Sequence, residues 1–153
     1  MESTEAANAI TRMLYALDAR DWAGVRREFA DRIDIDYRSL FGEPAAQVEA
    51  DAHVAGWETF ASAFDATQHI TGPLVMTSAN DRATAETHVR AYHQIKGAAG
   101  GEMWMVAGHY TVRLRLIADH WKIDGITLTV LYQEGNLEIP NIARSRASSL
   151  PAR

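Results

Sequence analysis

An aspartate and two histidines in this sequence have the types and settings needed for acid–base chemistry. Asp18 extends the apolar stripe of a predicted helix, directly after Leu17. His109 lies in the middle of the apolar segment 103–116, and His69 begins a segment of β-type composition. A carboxylate and an imidazole among apolar side chains each need a polar partner, and each can satisfy the other. We therefore predict that Asp18 accepts a hydrogen bond from His109 and orients it as a general base.

Tyr37 stands in the alternating segment IDIDYRS, where a cavity position would direct its hydroxyl at a substrate oxygen. A strand tyrosine at the interface between core and solvent, with no such role, is the alternative. The chain has no cysteine and no serine in a nucleophile setting, which favours acid–base over covalent catalysis. It also lacks HxxxH, HExxH and glycine-rich phosphate-binding motifs, so we predict neither a metal nor a cofactor.

Several large apolar and aromatic side chains would suit a hydrophobic, cyclic ligand. As ordinary core residues they would need no ligand, and that alternative stays open for each. For His93, on the inward row of a predicted strand, the alternative is a hydrogen-bonded core histidine. The other histidines, His53, His88 and His120, are predicted to be solvated. The candidate ligand-binding residues are Leu17, Trp57, Phe60, Phe64, His93, Met103 and Met105.

The segment MWMVAGHYTVRLRL, residues 103–116, predicts the longest strand of a curved sheet. Its even-numbered row, from Trp104 to Leu116, is wholly apolar. Its odd-numbered row passes from two methionines through His109 to two arginines, as expected of a row that leaves a cavity toward solvent. We predict that this odd-numbered row faces the cavity, unless a bulge at Gly108 reverses the facing.

The order of patterns predicts an α+β fold with three helices before a four-stranded antiparallel meander. The helical patterns begin near residues 3, 21 and 52, and β-type alternation dominates from Thr67 onward. We assign residues 1–135 to one domain and 136–153 to a C-terminal tail with at most one helical turn, around residues 141–144. No internal repeat is visible.

Composition narrows the possible partners. The 153 residues are 47% apolar, enough for one domain with a sizeable core, and their formal charge is −5 with no run of like charge. We therefore expect no nucleic acid and no membrane as partner. The N-terminus lacks a basic, apolar leader, which makes a cytoplasmic location the expectation. An exposed sheet face would suit a homo-oligomer, either a dimer or a trimer.

Six short segments, in order, resemble a known family. The sequence resembles the SnoaL-like branch of the nuclear transport factor 2 superfamily, and within it is similar to the scytalone dehydratases, which are cofactor-independent lyases. The matching segments are LDARDW (17–22), IDYRS (35–39), TQH (67–69), YHQ (92–94), GH (108–109) and WK (121–122).

The resemblance implies a cone-shaped α+β barrel in which three N-terminal helices pack on a curved, mainly antiparallel sheet that encloses a cavity. It also implies that His69 and His109 share the acid–base work of a syn elimination of water, with Asp18 orienting His109. Tyr37 would help to polarise the substrate carbonyl through a water, and the tail would help to cover the pocket. A second tyrosine of these dehydratases is replaced by Leu17 here.

The sequence is compatible with three functions. The first is dehydration of a cyclic hydroxy ketone or a polyketide-like molecule, because an acidic C–H beside a carbonyl suits an imidazole base. The second is isomerisation, cyclisation or epoxide opening of a polycyclic or terpenoid ligand in the same pocket. The third is a non-catalytic binding module, which would have no need of an oriented imidazole pair.

Overall fold

The computed structural model describes residues 2–149, which form five helices and seven strands. The helices are α1 (Glu2–Ala19), α2 (Trp22–Glu28), α3 (Arg38–Phe41), α4 (Ala50–Ala61) and α5 (Ile139–Ser149). The strands are β1 (Phe29–Asp36), β2 (Ala46–Glu49), β3 (Ala66–Thr71), β4 (Val75–Ala79), β5 (Arg82–Gln94), β6 (Met103–Ile117) and β7 (His120–Gly135).

The strands form one curved sheet in the order β2-β1-β7-β6-β5-β3, and β4 also pairs with β5. The β1–β7 pair is parallel, and the other pairs are antiparallel. Both short strands β3 and β4 lie along the same edge of β5, separated by Gly72, Pro73 and Leu74. Proline cannot donate to a ladder, so the pairing stops there and resumes at β4. The predicted α+β class and the mainly antiparallel sheet are confirmed.

The core lies between the helices and one face of this sheet. The apolar stripe of α1 is buried and includes Ile10, Met13 and Leu17, at the helical spacing that the sequence predicts. On β6, the even-numbered row faces this core: Trp104, Val106, Val112 and Leu114 are each about 1% exposed. The four-residue helix α3 adds to the three helices that were predicted before the main sheet.

The predicted facing of β6 is wrong, because the apolar row, and not the row with His109, faces the interior. A bulge does occur beside Gly108, but the extra residue, Leu131, is on β7. There the two backbones approach so closely that a Cβ on Gly108 would collide with the Thr129 carbonyl oxygen. The alternation of β6 itself is therefore unbroken.

The tail forms a longer helix than the predicted single turn. Helix α5 has 11 residues, and its Ile139 and Ala143 are fully buried. Asn136 fixes its entry by donating to the carbonyl oxygens of Ala99 and Gly101 while accepting from the Glu138 N–H. A proline is tolerated in a first helical turn, so Pro140 does not interrupt it. Residues 150–153 of the predicted tail lie outside the described part of the chain.

None of the helices within residues 2–149 is both long and apolar enough to cross a membrane.

Candidate active site

A cavity of about 110 Å³ lies between the helices and the inner face of the sheet. Helix α3 contributes Phe41 to its wall, and the Arg144 guanidinium of α5 lies 5.6 Å from the centre of that ring. The tail helix therefore contacts a residue of the wall, but none of its own residues lines the cavity. The cavity is lined by Leu17, Tyr37, Leu40, Phe41, Trp57, Phe60, His69, Val89, Ala91, His93, Trp104, Val106, Tyr110 and Leu128.

Asp18 is joined by two hydrogen bonds to His69, a residue of the cavity wall. His69 Nδ1 lies 2.8 Å from Asp18 Oδ1, and the His69 backbone N–H donates to Asp18 Oδ2 over 2.7 Å. Thr67 Oγ1 also donates to Asp18 Oδ1, over 2.9 Å. Both carboxylate oxygens thus accept hydrogen bonds: Oδ1 from the side chains of Thr67 and His69, and Oδ2 from the His69 backbone amide.

The end of α1 and the start of β3 hold these groups together. Helix α1 ends with Arg20 in the left-handed conformation, at φ 59°. The Arg20 guanidinium donates to the carbonyl oxygens of Ala61, the last residue of α4, and of Phe64, shortly before β3 begins. Asp18, two residues earlier, is thereby fixed opposite Thr67 and His69.

The contacts determine which ring nitrogen of His69 carries its proton. Burial alone would raise the pKa of Asp18, but the hydrogen bonds and charge of His69, together with the Thr67 hydroxyl, hold that pKa below its usual value. An ionised Asp18 can only accept hydrogen bonds, so we assign Nδ1 as the N–H of a neutral His69. In this tautomer the other nitrogen, Nε2, carries no proton and can act as a base.

The predicted hydrogen bond between Asp18 and His109 is wrong, because His109 lies on the outer face of the sheet. It is exposed there, and its ring stacks on that of His88 with 4.7 Å between centroids. Asp18 binds His69 instead. The cause is the facing of β6: side chains alternate along a strand, so burying Gly108 and Tyr110 directs His109 outward.

His93 is the second imidazole of the cavity. Its ring lies 5.9 Å from that of His69, edge to face, and stacks on Trp104 with 4.4 Å between centroids. Burial, assisted by the nearby His69, lowers the pKa of His93 to about 3, so its ring is neutral near pH 7. Its Nδ1 has no hydrogen-bond partner within residues 2–149.

Two tyrosines line the cavity together, of which sequence reasoning identified only Tyr37. Burial and the neighbouring phenol of Tyr110 raise the pKa of Tyr37. Burial raises the pKa of Tyr110 to about 12, partly offset by a hydrogen bond with Tyr37. Both phenols therefore stay protonated over the physiological range. The signal for Tyr110 was its position as the one hydroxyl in the wholly apolar row of β6.

The other predicted ligand contacts divide between the cavity and its surroundings. Leu17, Trp57 and Phe60 line the cavity, and Trp57 lies parallel to the Tyr37 ring at 6.4 Å. Phe64 packs behind the wall, against Phe60 and His93. Met103 and Met105 do not reach the cavity, because both belong to the outer row of β6.

His53 was predicted to be solvated but is half-buried. Its ring contacts Trp57 at 4.4 Å between centroids, and burial lowers its pKa to about 4. Within residues 2–149, no group of three or more histidine, aspartate or glutamate side chains is arranged to hold a metal ion.

Comparison with known proteins agrees with this architecture. A crystal structure of a Kribbella flavida protein is 30% identical, with a TM-score of 0.84, covering 92% of this chain and 95% of that one. A scytalone dehydratase-like protein of Claviceps purpurea is 25% identical over 145 residues, 90% of this chain and 92% of its own length.

A hexachlorocyclohexane dehydrochlorinase from Novosphingobium barchaimii shares the fold at 12% identity and a TM-score of 0.69, covering 88% of this chain and 89% of that one. The family model of the SnoaL-like domain matches residues 2–127. The chain belongs to the SnoaL-like family, within the nuclear transport factor 2-like fold.

Proposed function

We propose that this protein is a cofactor-independent lyase that removes water from a cyclic β-hydroxy ketone by general acid–base catalysis. The observation that carries the proposal is the Asp18–His69 pair at the wall of an apolar cavity. An imidazole whose tautomer is fixed by a carboxylate is the arrangement of a general base. A binding module would not need an ionised aspartate to orient a ring toward its ligand.

In the proposed reaction, His69 Nε2 removes a proton from the carbon beside the substrate carbonyl. The C–H electrons form an enolate, and its oxygen is stabilised by hydrogen bonds from Tyr37 and Tyr110, whose raised pKa values keep them as donors. The enolate then forms the C=C bond as the C–O bond breaks. The departing hydroxide takes the proton held by His69 and leaves as water.

His93 contributes as a neutral hydrogen-bonding group in this scheme. With a pKa of about 3 it carries no positive charge at neutral pH, so it cannot serve as an imidazolium acid. A neutral imidazole can still bind the departing hydroxyl and hold it on the side of the ring that His69 faces. The proposed syn elimination places both breaking bonds on that one side.

The pair of phenols favours a carbonyl substrate over a haloalkane. Two protonated hydroxyls in the wall of a mainly apolar cavity match an oxygen that gains negative charge during the reaction. Elimination of chloride from a ring without a carbonyl creates no such oxygen. Lyase chemistry on a hydroxy ketone is therefore the reaction that uses all four polar side chains.

The test is a screen of cyclic β-hydroxy ketones, monitored by the ultraviolet absorbance of the enone, with the Asp18→Asn variant as comparison. Asparagine has an N–H₂ group in place of one carboxylate oxygen, and this group must face one of the donors that now bind Asp18. If it faces His69 Nδ1, that nitrogen becomes an acceptor and the proton moves to Nε2, where the base should be. We expect a loss of about 10²-fold or more in kcat.

Asp18→Leu serves as the control for folding, because an apolar replacement of a half-buried carboxylate need not destabilise the protein. Equal turnover in wild type and Asp18→Asn would contradict the proposed mechanism. A Leu variant that melts far below wild type would assign the pair a structural role instead.

A further inference from the structure

We propose that Thr67 is a positioning residue, which tunes the base His69 through Asp18 without touching the substrate. Thr67 Oγ1 and His69 Nδ1 both bind the same carboxylate oxygen, Asp18 Oδ1, at 2.9 and 2.8 Å. The turnover part of this proposal rests on the proposed function, whereas its spectroscopic part does not.

The backbone makes this arrangement rigid. Thr67 and His69 are two residues apart on β3, so their side chains point to the same side. The strand is locked in register by β5, where Thr67 lies opposite His93 and His69 opposite Ala91. The hydroxyl, both imidazoles and the carboxylate are therefore placed by one strand pair and the end of α1.

The Thr67 hydroxyl has a defined electrostatic effect. Asp18 is ionised, so the hydroxyl can only donate to it, and that bond takes up part of the negative charge on Oδ1. Without the hydroxyl, this charge would act on the His69 Nδ1–H alone and stabilise the imidazolium. The carboxylate would also be less restricted in rotation. The ring would then take up its proton at higher pH and hold Nε2 less precisely.

Thr67 acts from outside the cavity. It lines a separate groove between α1 and β3, which Asp18 and His69 also line. It is absent from the cavity wall. Its removal should therefore change kcat, which depends on the base, and leave KM, which depends on the ligand contacts, unchanged.

The experiment compares Thr67→Val, Thr67→Ser and the control Thr71→Val. Thr71 is on the same strand and the same row, and its side chain makes no hydrogen bond within residues 2–149. The pH midpoint of the His69 ring is followed by nitrogen-15 NMR in each ligand-free protein. We expect the midpoint in Thr67→Val to rise by about 0.5–1 pH unit, with Thr67→Ser and Thr71→Val at the wild-type value.

Turnover of a hydroxy ketone gives the second readout. We expect kcat to fall about tenfold in Thr67→Val at unchanged KM, to recover in Thr67→Ser, and to stay at wild type in Thr71→Val. An unchanged midpoint in Thr67→Val, or the same shift in Thr71→Val or Thr67→Ser, would overturn the proposal. So would an unchanged kcat in Thr67→Val.

Two further outcomes are distinguishable. If Thr67→Val fails to fold, Thr67→Ala removes the same hydroxyl and takes its place in both measurements. If the wild type turns over no hydroxy ketone, the proposed function fails, while the NMR midpoints still decide the role of Thr67.

Discussion

Two pairs of histidines lie on opposite faces of the same sheet. His69 and His93 lie on the inner face, with ring centroids 5.9 Å apart, and His88 and His109 lie on the outer face, 4.7 Å apart. Strand β5 supplies one member to each pair, since His88 and His93 are five residues apart and an odd separation places side chains on opposite faces.

Distance between rings does not distinguish the pairs, but their surroundings do. The inner pair has the Asp18 carboxylate on one ring and Trp104 stacked on the other, beside a cavity. Neither outer ring has a side-chain hydrogen bond within residues 2–149, and both are exposed. Proximity of two imidazoles is therefore a poor indicator of catalysis. A fixed tautomer and the exclusion of water are better indicators.

The largest expected effect comes from one substitution made in each pair. His69→Asn should lower kcat by about 10²- to 10⁴-fold, because a positioned general base contributes on that scale. His109→Asn should stay within about twofold of wild type, since its ring lies on the face away from the cavity. Enone formation at saturating hydroxy ketone measures both.

A His109 variant that loses as much activity as the His69 variant would break the comparison and restore His109 to the mechanism. Circular dichroism of the three single histidine variants, at positions 69, 88 and 109, serves as the folding control. His88→Asn is expected to behave like His109→Asn.

A smaller effect should separate two adjacent residues of β6. Tyr110→Phe removes one hydroxyl from the cavity wall, and we expect kcat to fall about tenfold through weaker stabilisation of the enolate oxygen. His109→Phe places the same ring one residue away, on the outer face, and should leave kcat unchanged. Equal kcat for Tyr110→Phe and wild type would remove the phenol pair from the mechanism.

Much of the fold could be predicted from the sequence, because the relevant signals are local. The helical spacing of Ile10, Met13 and Leu17 predicted α1, and strict alternation predicted β5 and β6. The length of helix α5 was underestimated, because its only two fully buried residues, Ile139 and Ala143, lie in a polar and serine-rich segment.

The site was harder to predict, because it depends on which row of a strand faces inward. Alternation gives two rows for β6 but does not say which one borders a cavity. The rule that the more apolar row is buried would have selected Tyr110, whereas polarity in the other row suggested His109. The partner of Asp18 depends on the packing of α1 against β3, a contact between residues 51 positions apart. No local pattern reports such a contact.

The smallest expected effect concerns stability in acid. The pKa of His93 is lowered by burial to about 3 in the folded protein, from an ordinary value near 6.5. Between these values the unfolded state binds the proton and the folded state does not, so the free energy of unfolding falls as the pH falls. His53, with its pKa lowered to about 4, adds to the same loss.

Replacing one histidine of each pair by leucine isolates this contribution. His93→Leu should make the free energy of unfolding less dependent on pH between about pH 6.5 and 5. The slope should fall by at most about 1.4 kcal/mol per pH unit, which corresponds to the one proton that the unfolded wild type takes up at His93. His109→Leu, on the outer face, serves as the comparison variant. Urea unfolding at a series of pH values gives the slopes. Parallel slopes for wild type and His93→Leu would mean that the folded and unfolded states take up the His93 proton over the same pH range, and His93 could then serve the inner pair as an imidazolium acid.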